Sequence, residues 1–125
     1  MNLTVATDRR AHNVVIVTPN GGLNALTHPV LEQELRTVLA SSPSLVVLDL
    51  KDLAYINSLG VRLIHQTRRT LKADQGELRL LNVPPAIQRV FEIVQVLPLS
   101  EMFSSIEELD AYLDQVQKNP PPASA

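Results

Sequence analysis

The chain lacks cysteine and tryptophan altogether, and its 125 residues include only two phenylalanines and two tyrosines. Without cysteine, the protein can form no disulfide, no thiolate metal site and no cysteine nucleophile. An aromatic content of 3% is too small for the stacking surface on which many single-strand-binding proteins hold bases. These absences exclude disulfide scaffolds and thiol chemistry, and they argue against a nucleic-acid partner.

An excess of one charge and long apolar runs are also missing. Eleven basic and thirteen acidic residues give a formal net charge of −2, with no dense basic stripe of the kind that binds nucleic acid. No apolar run approaches the roughly 20 residues that span a bilayer. The segment Met1–Val5 lacks the basic stretch and long apolar run of a signal peptide. We therefore expect a cytoplasmic protein with no nucleic-acid partner and no direct insertion into a membrane.

What is present is the composition of an ordinary globular domain. An apolar fraction of 45% over 125 residues predicts one domain with a substantial core. The segment 118–125 contains three consecutive prolines and few apolar residues, which predicts a disordered C-terminal tail. The folded domain is therefore expected to occupy residues 1–117.

Strand-like and helix-like segments alternate along the chain. The segment Leu45–Leu50 is a short apolar run bounded by serine and proline, typical of a strand buried on both faces. Other strands are predicted at 2–7, 14–17 and 77–81, with a turn at 18–22 and a short extended piece at 102–103. Apolar residues at helical spacing predict helices that begin near Thr27, Ser58, Pro84 and Ser105. The expected fold is α/β, a mixed and mostly parallel sheet of four or five strands packed with about four helices.

The helical periodicity also predicts which side chains are buried. In the second helix the expected core stripe is Leu63, Ile64, Thr67 and Leu71, with Arg62, Arg68, Arg69 and Lys72 outside. In the last helix the expected stripe is Ile106, Leu109, Leu113 and Val116. Ser105 followed by Glu108 has the spacing of a capping box.

A small polar pair, Asn57-Ser58, stands where a strand-to-helix loop delivers a helix N-terminus. The free N–H groups and the positive end of the helix dipole favour an anion there. From spacing alone, Ser58 is either a helix cap or first-turn residue, or a site that accepts a phosphate.

Enzymatic chemistry has little support in the sequence. His12, His28 and His65 lack the spacing of metal ligands, and Ser58 and His65 are two helical turns apart, too far for a nucleophile and its base. Asp49 lies within a strand and is expected to be a structural hydrogen-bonding residue. We expect no catalytic residues, no metal and no cofactor.

The segment from Val46 to Gly60 resembles the signature of the STAS domain family, which includes the anti-sigma factor antagonists. The family pattern is an apolar strand ending in Asp-Leu, followed by an Asp-Ser pair that opens a helix. Gly22-Leu23-Asn24-Ala25 is similar to an early turn of the family, and residues 76–82 and 87–92 are similar to its later strand and third helix. The resemblance spans about residues 3 to 113 in consistent order.

This resemblance implies a partner-switching regulator. Its partners would be an anti-sigma factor that is also a serine kinase of the ATP-binding type, and a PP2C-type phosphatase that reverses the modification. The phosphorylated residue would be Ser58, and the change is expected to act on binding with little change in the domain. The binding face implied by the resemblance comprises Asn24, Asn57, Ser58, Leu59, Gly60 and Arg62.

The sequence also departs from the family pattern. Asn24 and Asn57 stand where the family usually has aspartate, which preserves capping geometry but removes charge. Leu59 replaces a small residue, and Arg62 replaces a frequent glycine. The alternative is a STAS-like docking subunit of a transporter or multi-protein scaffold that is not phosphorylated.

Overall fold

The computed structural model describes residues 2–96 and 104–118. The extended piece predicted at 102–103 and the tail residues 119–125 lie outside this part of the chain. The described strands are β1 (Leu3–Arg10), β2 (Val14–Leu23), β3 (Leu45–Asp49), β4 (Leu53–Ile56) and β5 (Glu77–Leu81). The described α-helices are α1 (His28–Leu39), α2 (Ser58–Ala73), α3 (Pro85–Val96) and α4 (Ile106–Lys118).

The five strands form one mixed, mostly parallel sheet, as the sequence predicts. Strand β1 pairs antiparallel with β2, whereas β2–β3, β2–β4 and β3–β5 are parallel pairs. The main order is β1-β2-β3-β5, and β4 pairs with the last residues of β2. The carboxyl ends of β2 and β4 therefore lie side by side.

The predicted turn at 18–22 is wrong, because β2 continues through it to Leu23. Pro19 pairs with Val5 of β1, and the register of β2 against β4 shifts between Gly21 and Gly22. Gly21 has φ +123°, and a Cβ there would collide with the carbonyl oxygen of Asn2. The two glycines thus form an irregularity inside a strand, which local sequence does not distinguish from a turn.

Strand β4 is absent from the sequence prediction. It is only four residues long, with Leu53 and Ile56 buried, Ala54 exposed and Tyr55 half-buried. So short a segment carries little periodicity, and pairing with β2 is what fixes it as a strand. It sets the chain direction immediately before Asn57.

The predicted faces of the helices are largely confirmed. All four expected core residues of α2 are buried, and its four expected outer cations are exposed. In α4, Leu113 is fully buried, but Ile106 is 46% exposed, so the prediction that Ile106 belongs to the core stripe is wrong. Ile106 is the first residue of the helix, where the chain has only begun to approach the core. The Ser105 hydroxyl accepts from the Glu108 amide at 3.1 Å, as a cap should.

Candidate functional site

Asn57 caps helix α2. Its backbone is extended, and its side-chain oxygen accepts a hydrogen bond from the Gly60 amide at 3.1 Å. Its own amide donates to the Leu23 carbonyl of β2 at 3.0 Å. Asn57 is only 5% exposed, so its role within the domain is to fix the start of the helix against the sheet.

Ser58 is the first residue of α2, and it is half-buried. Its amide donates to the Asp110 carboxylate of α4 at 2.9 Å. Its hydroxyl oxygen is buried and has no hydrogen-bond partner among the described residues. The anion expected at this helix N-terminus is therefore supplied by the chain itself, across 52 residues of sequence.

Helix α4 is attached to the end of β4 by a second polar side chain. The Gln117 amide group accepts from the Ile56 backbone N–H at 2.8 Å and donates to the Ile56 carbonyl at 2.7 Å. Leu113, which lies between Asp110 and Gln117 in the sequence, is fully buried. These three residues, spaced by three and four positions, lie on one face of α4, which contacts the end of β4 and the start of α2.

The pKa of Tyr55 reflects the same packing of α4 against β4. Burial raises the pKa of the Tyr55 phenol, and the carboxylates of Asp114 and Asp110 raise it further. The acidic side of α4 thus faces the exposed flank of β4, directly before Asn57.

Asn24 stands directly after β2, just as Asn57 stands directly after β4. Its side-chain oxygen accepts from the amides of Leu26 and Thr27, both at 3.0 Å. The buried Thr27 hydroxyl donates to the Gly22 carbonyl at 2.6 Å and accepts from the Asn24 amide at 2.9 Å. Leu26, at the tip of this turn, is 87% exposed. The turn is closed by its own hydrogen bonds and offers an apolar side chain to solvent.

The remaining predicted site residues differ in exposure. Gly60 is buried, and a Cβ there would lie 2.7 Å from both Ile56 Cγ1 and Leu23 Cδ2. Leu59 is half-buried, and Arg62 is exposed and takes part in none of the described ion pairs. The structure therefore brings the predicted residues together around the ends of β2 and β4. Asn57 and Gly60 are buried there, and Arg62 is exposed.

Asp49, at the end of β3, is the structural residue that the sequence predicts. Its carboxylate accepts from the Lys51 amide and from Asn82 Nδ2, both at 3.2 Å. Burial alone would raise the pKa of Asp49, but these hydrogen bonds and the Lys51 ammonium outweigh it and hold that pKa below its ordinary value.

Neither a metal centre nor a membrane span is found in the described ranges 2–96 and 104–118. No group of three metal-ligating side chains comes together there. No helix of these ranges has the length and apolar character to cross a bilayer. His12 and His65 are exposed and His28 is half-buried.

Sequence reasoning missed Asp110 and Gln117. Both flank Leu113 at helical spacing on a face predicted to be apolar, and that is the one signal that could have indicated a polar contact. Nothing in the local pattern identifies Ser58 and Ile56 as their targets, because those contacts depend on how the helix packs.

Comparison with known proteins places the chain in a family. Residues 6–109 match the model of the STAS domain. A protein of Bordetella bronchiseptica, provisionally named anti-sigma factor antagonist BtrV, is 34% identical over 94 residues, covering 75% of this chain and 81% of that protein.

Two solved structures share the fold. An anti-sigma factor antagonist from Mycobacterium paratuberculosis superposes with a TM-score of 0.68 at 23% identity, covering 90% of this chain and 94% of that one. The phosphorylated form of the Bacillus cell fate determinant SpoIIAA superposes with a TM-score of 0.61 at 22% identity, covering 90% and 99%. With the family match over residues 6–109, these findings show that the chain belongs to the STAS domain family.

Proposed function

We propose that this protein is an anti-sigma factor antagonist, which binds an anti-sigma factor through the edge formed by the ends of β2 and β4. The observation that carries the proposal is the position of Ser58, at the first residue of α2 beside a rigid Asn57 cap. The sequence similarity to BtrV over three quarters of the chain supports the same function.

The second part of the proposal is that Ser58 is phosphorylated by that anti-sigma factor, acting as a serine kinase of the ATP-binding type. SpoIIAA, which shares this fold, has been solved in a phosphorylated form. A PP2C-type phosphatase would reverse the modification. Phosphate adds about −1.5 to −2 charges at neutral pH, and a partner surface that desolvates such a group without pairing it loses several kcal/mol.

The two sides of the edge suit different tasks. Leu26 is 87% exposed and lies on a turn closed by local hydrogen bonds, so it offers a fixed apolar contact. Arg62, one helical turn after Ser58, is an exposed cation without a described ion pair. We propose Leu26 as a constant apolar contact with the partner and Arg62 as a charged contact one helical turn from Ser58.

A second candidate function is constitutive docking, as a subunit of a transporter or scaffold without phosphorylation. One specific observation favours it: the Ser58 hydroxyl oxygen is buried, so a kinase could not reach it in this arrangement. Under this reading Leu26 and Arg62 still contact a partner, but Ser58 is only a packing residue.

Binding to a candidate kinase, and modification by it, distinguish the antagonist function from constitutive docking. The full chain is mixed with an ATP-binding-type serine kinase from the same genome, and affinity is measured by calorimetry for wild type and Ser58→Glu. Thr70→Glu is the matched control, since it adds the same charge at an exposed position of the same helix. Intact mass after incubation with ATP reports a gain of about 80 Da for one phosphate.

The antagonist proposal expects tight binding of wild type and Thr70→Glu, at least about tenfold weaker binding of Ser58→Glu, and one phosphate mapped to Ser58. Equal binding of all three variants, with no phosphate on Ser58, would contradict phosphoregulation and support constitutive docking. Failure of every such kinase to bind would contradict the antagonist function.

A further inference from the structure

One face of the sheet contributes to the hydrophobic core, and the opposite face, which we call the outer face, does not. The core side is formed by buried residues of β2, β3 and β5: Val15, Val17, Val46, Leu48 and Leu78. The residues between them point the other way, because side chains alternate along a strand. Four of these outward residues are aliphatic and only half-buried: Val14, Ile16, Leu45 and Val47. Among the residues that the structure describes, none of the four belongs to the core cluster or packs against it.

An aliphatic strip of this kind is unusual on a sheet face that is open to solvent. Strands β2, β3 and β5 run parallel, and parallel strands are normally covered on both faces. The apolar run of β3 predicts a strand buried on both faces, yet Leu45 and Val47 are only half-buried in the single chain. Leu81, at the end of β5, is 45% exposed. The outer face therefore has the composition of a surface that a second layer of protein covers.

The register of the strands sorts the outer face into rows, because residues directly opposite one another point to the same face. The first row consists of Arg10, Val14, Leu45 and Glu77. The second row consists of Asp8, Ile16, Val47 and Arg79. Each row thus has two aliphatic residues at its centre and opposite charges at its two ends. The order of the charges is reversed from the first row to the second, and all four charged side chains are exposed.

We propose that the outer face is the interface of a symmetric dimer, in which it packs against the outer face of a second copy of this chain. A twofold axis parallel to the strands places β1 of one copy over β5 of the other. Arg10 then lies over Glu77 of the second copy, and Asp8 lies over Arg79. The aliphatic centres of the rows meet each other, as in two sheets packed face to face.

The distribution of charge is what selects a second copy as the occupant. A twofold interface requires a surface that is complementary to itself, and a row with opposite charges at its two ends meets that requirement. An axis across the strands would also oppose the charges, but it overlaps only the first two rows, because the chain turns at residues 11–13 just beyond the first row. The axis along the strands overlaps the next row as well, where the exposed Leu81 lies over the small side chain of Ala6.

The dimer adds to the ion pairs that the single chain already has. Arg10 Nε lies 2.6 Å from Asp8 Oδ2, both on β1. Arg79 Nη2 lies 3.0 Å from Glu77 Oε1, both on β5. These pairs are exposed, so each contributes little in the single chain. In the dimer each charge keeps its neighbour and gains a second opposite charge, which forms a four-charge cluster on each side of the aliphatic centre.

This interface is separate from the proposed partner-binding edge. The two rows lie near the amino ends of β2, β3 and β5, whereas Asn24 and Asn57 follow the carboxyl ends of β2 and β4. The inference is therefore independent of the proposed function. A dimer of this form would leave both copies of the Ser58 edge free to bind an anti-sigma factor.

Charge reversal tests the arrangement in the full chain. Asp8→Arg places two arginines over one another in the dimer, and Arg79→Glu places two carboxylates over one another. An equimolar mixture of the two variants permits a mixed dimer in which both contacts again join opposite charges. Asp74→Arg and Arg69→Glu are the matched controls, since they reverse the same charges at exposed positions outside the sheet. Sedimentation velocity over a wide concentration range measures the dimerisation of each sample.

We expect wild type and both controls to form a species of twice the chain mass. Each charge reversal alone should weaken dimerisation at least about tenfold, and the mixture should return to within about threefold of wild type. A wild type that stays monomeric at every concentration would overturn the proposal. Weakening by both reversals without recovery in the mixture would overturn the twofold axis along the strands and with it the proposed interface.

The aliphatic centre provides a second test that does not depend on the charged rows. Val47→Lys puts an ammonium group in the middle of the outer face, and Val30→Lys puts one at an apolar position of α1 that is 45% exposed. Val47→Lys should be monomeric at concentrations where wild type and Val30→Lys are dimeric. Dimerisation of Val47→Lys with the affinity of wild type would place the contact elsewhere and overturn the proposal.

Discussion

The loops after β2 and β4 begin with the same device and end differently. Asn24 Oδ1 accepts from the amide three residues later, that of Thr27, at 3.0 Å; Asn57 Oδ1 accepts from the amide three residues later, that of Gly60, at 3.1 Å. The first loop is completed by the Thr27 hydroxyl and leaves Leu26 exposed. The second is completed by a helix that lies 52 residues further along the chain.

The two loops differ in what holds them closed. A loop closed by its own neighbours has one state, because its hydrogen bonds are lost only if the turn itself is lost. A loop closed by a distant helix depends in addition on how that helix packs against the domain. In the proposed function, the Asn24 side accordingly provides the constant contact and the Asn57 side carries the phosphorylated residue.

The largest effect is expected from making the second loop like the first. Gly60→Thr places at position 60 the residue found at the equivalent position 27, but its Cβ would lie within 2.8 Å of Ile56 and Leu23 side-chain carbons. We expect a loss of about 3 kcal/mol in the free energy of unfolding, measured with urea. Ala73→Thr at the exposed end of α2 is the control and should cost under about 1 kcal/mol. Equal stability of Gly60→Thr and wild type would show that the helix start is not tightly packed.

The two buried hydroxyls should respond in opposite directions. Thr27→Val removes the hydrogen bonds that the Thr27 hydroxyl makes with the Asn24 backbone amide and the Gly22 carbonyl, at a cost of about 1–3 kcal/mol. Ser58→Ala removes a desolvated hydroxyl that makes no described bond, so it should be neutral or stabilising by up to about 1 kcal/mol. Thermal unfolding of both variants provides the measurement. A destabilised Ser58→Ala would mean that this hydroxyl has a partner in solution.

Replacing each of the two asparagines with aspartate compares how the two loops tolerate a negative charge. Asn57→Asp puts a carboxylate beside Asp110, and like charges there should cost about 1 kcal/mol, more than the helix dipole returns. Asn24→Asp keeps an acceptor in a locally closed turn and should change stability by less than about 0.5 kcal/mol. Urea unfolding is compared at low and high salt, since 1 M salt should remove most of the difference. Equal effects of the two substitutions would remove the distinction between the loops.

Asp49 lies at the end of a third strand, where its charged side chain is paired with nearby Lys51 and with Asn82 after β5. The smallest effect is expected here. The pKa of Asp49 is lower in the folded chain than its ordinary value of 3.8, so the carboxylate contributes stability above that value. The contribution is lost as pH falls through the lower folded value. Wild type should therefore lose up to about 1 kcal/mol more than Asp49→Asn between pH 5 and pH 2 in urea titrations. A parallel acid dependence in both proteins would show that this pKa is not lowered.

The sequence predicts the elements whose signals are local. Strand β5 and the core stripe of α2 follow directly from apolar spacing, and both are found as predicted. The end of β2 is mispredicted because Gly21 and Gly22 form an irregularity within a strand, which has the composition of a turn. Strand β4 is missed because four residues are too few to show a period.

The candidate site likewise has parts that the sequence predicts and parts that it does not. The Asn57 cap and the position of Ser58 at a helix start are visible in the spacing of a few residues. The contacts from α4 are not, because Asp110 meets Ser58 and Gln117 meets Ile56 only after α4 packs against the sheet end. An acidic residue on the surface of a helix has the same local pattern whether it faces solvent or another helix.

The experiment that tests the proposed function most directly is calorimetry of the full chain carrying phosphoserine at position 58, compared with the unmodified chain. Each is titrated with an ATP-binding-type serine kinase from the same genome. If Ser58 lies on the surface that binds this partner, the phosphate should weaken binding by at least about tenfold. Equal affinity of the two forms would contradict the proposed switch.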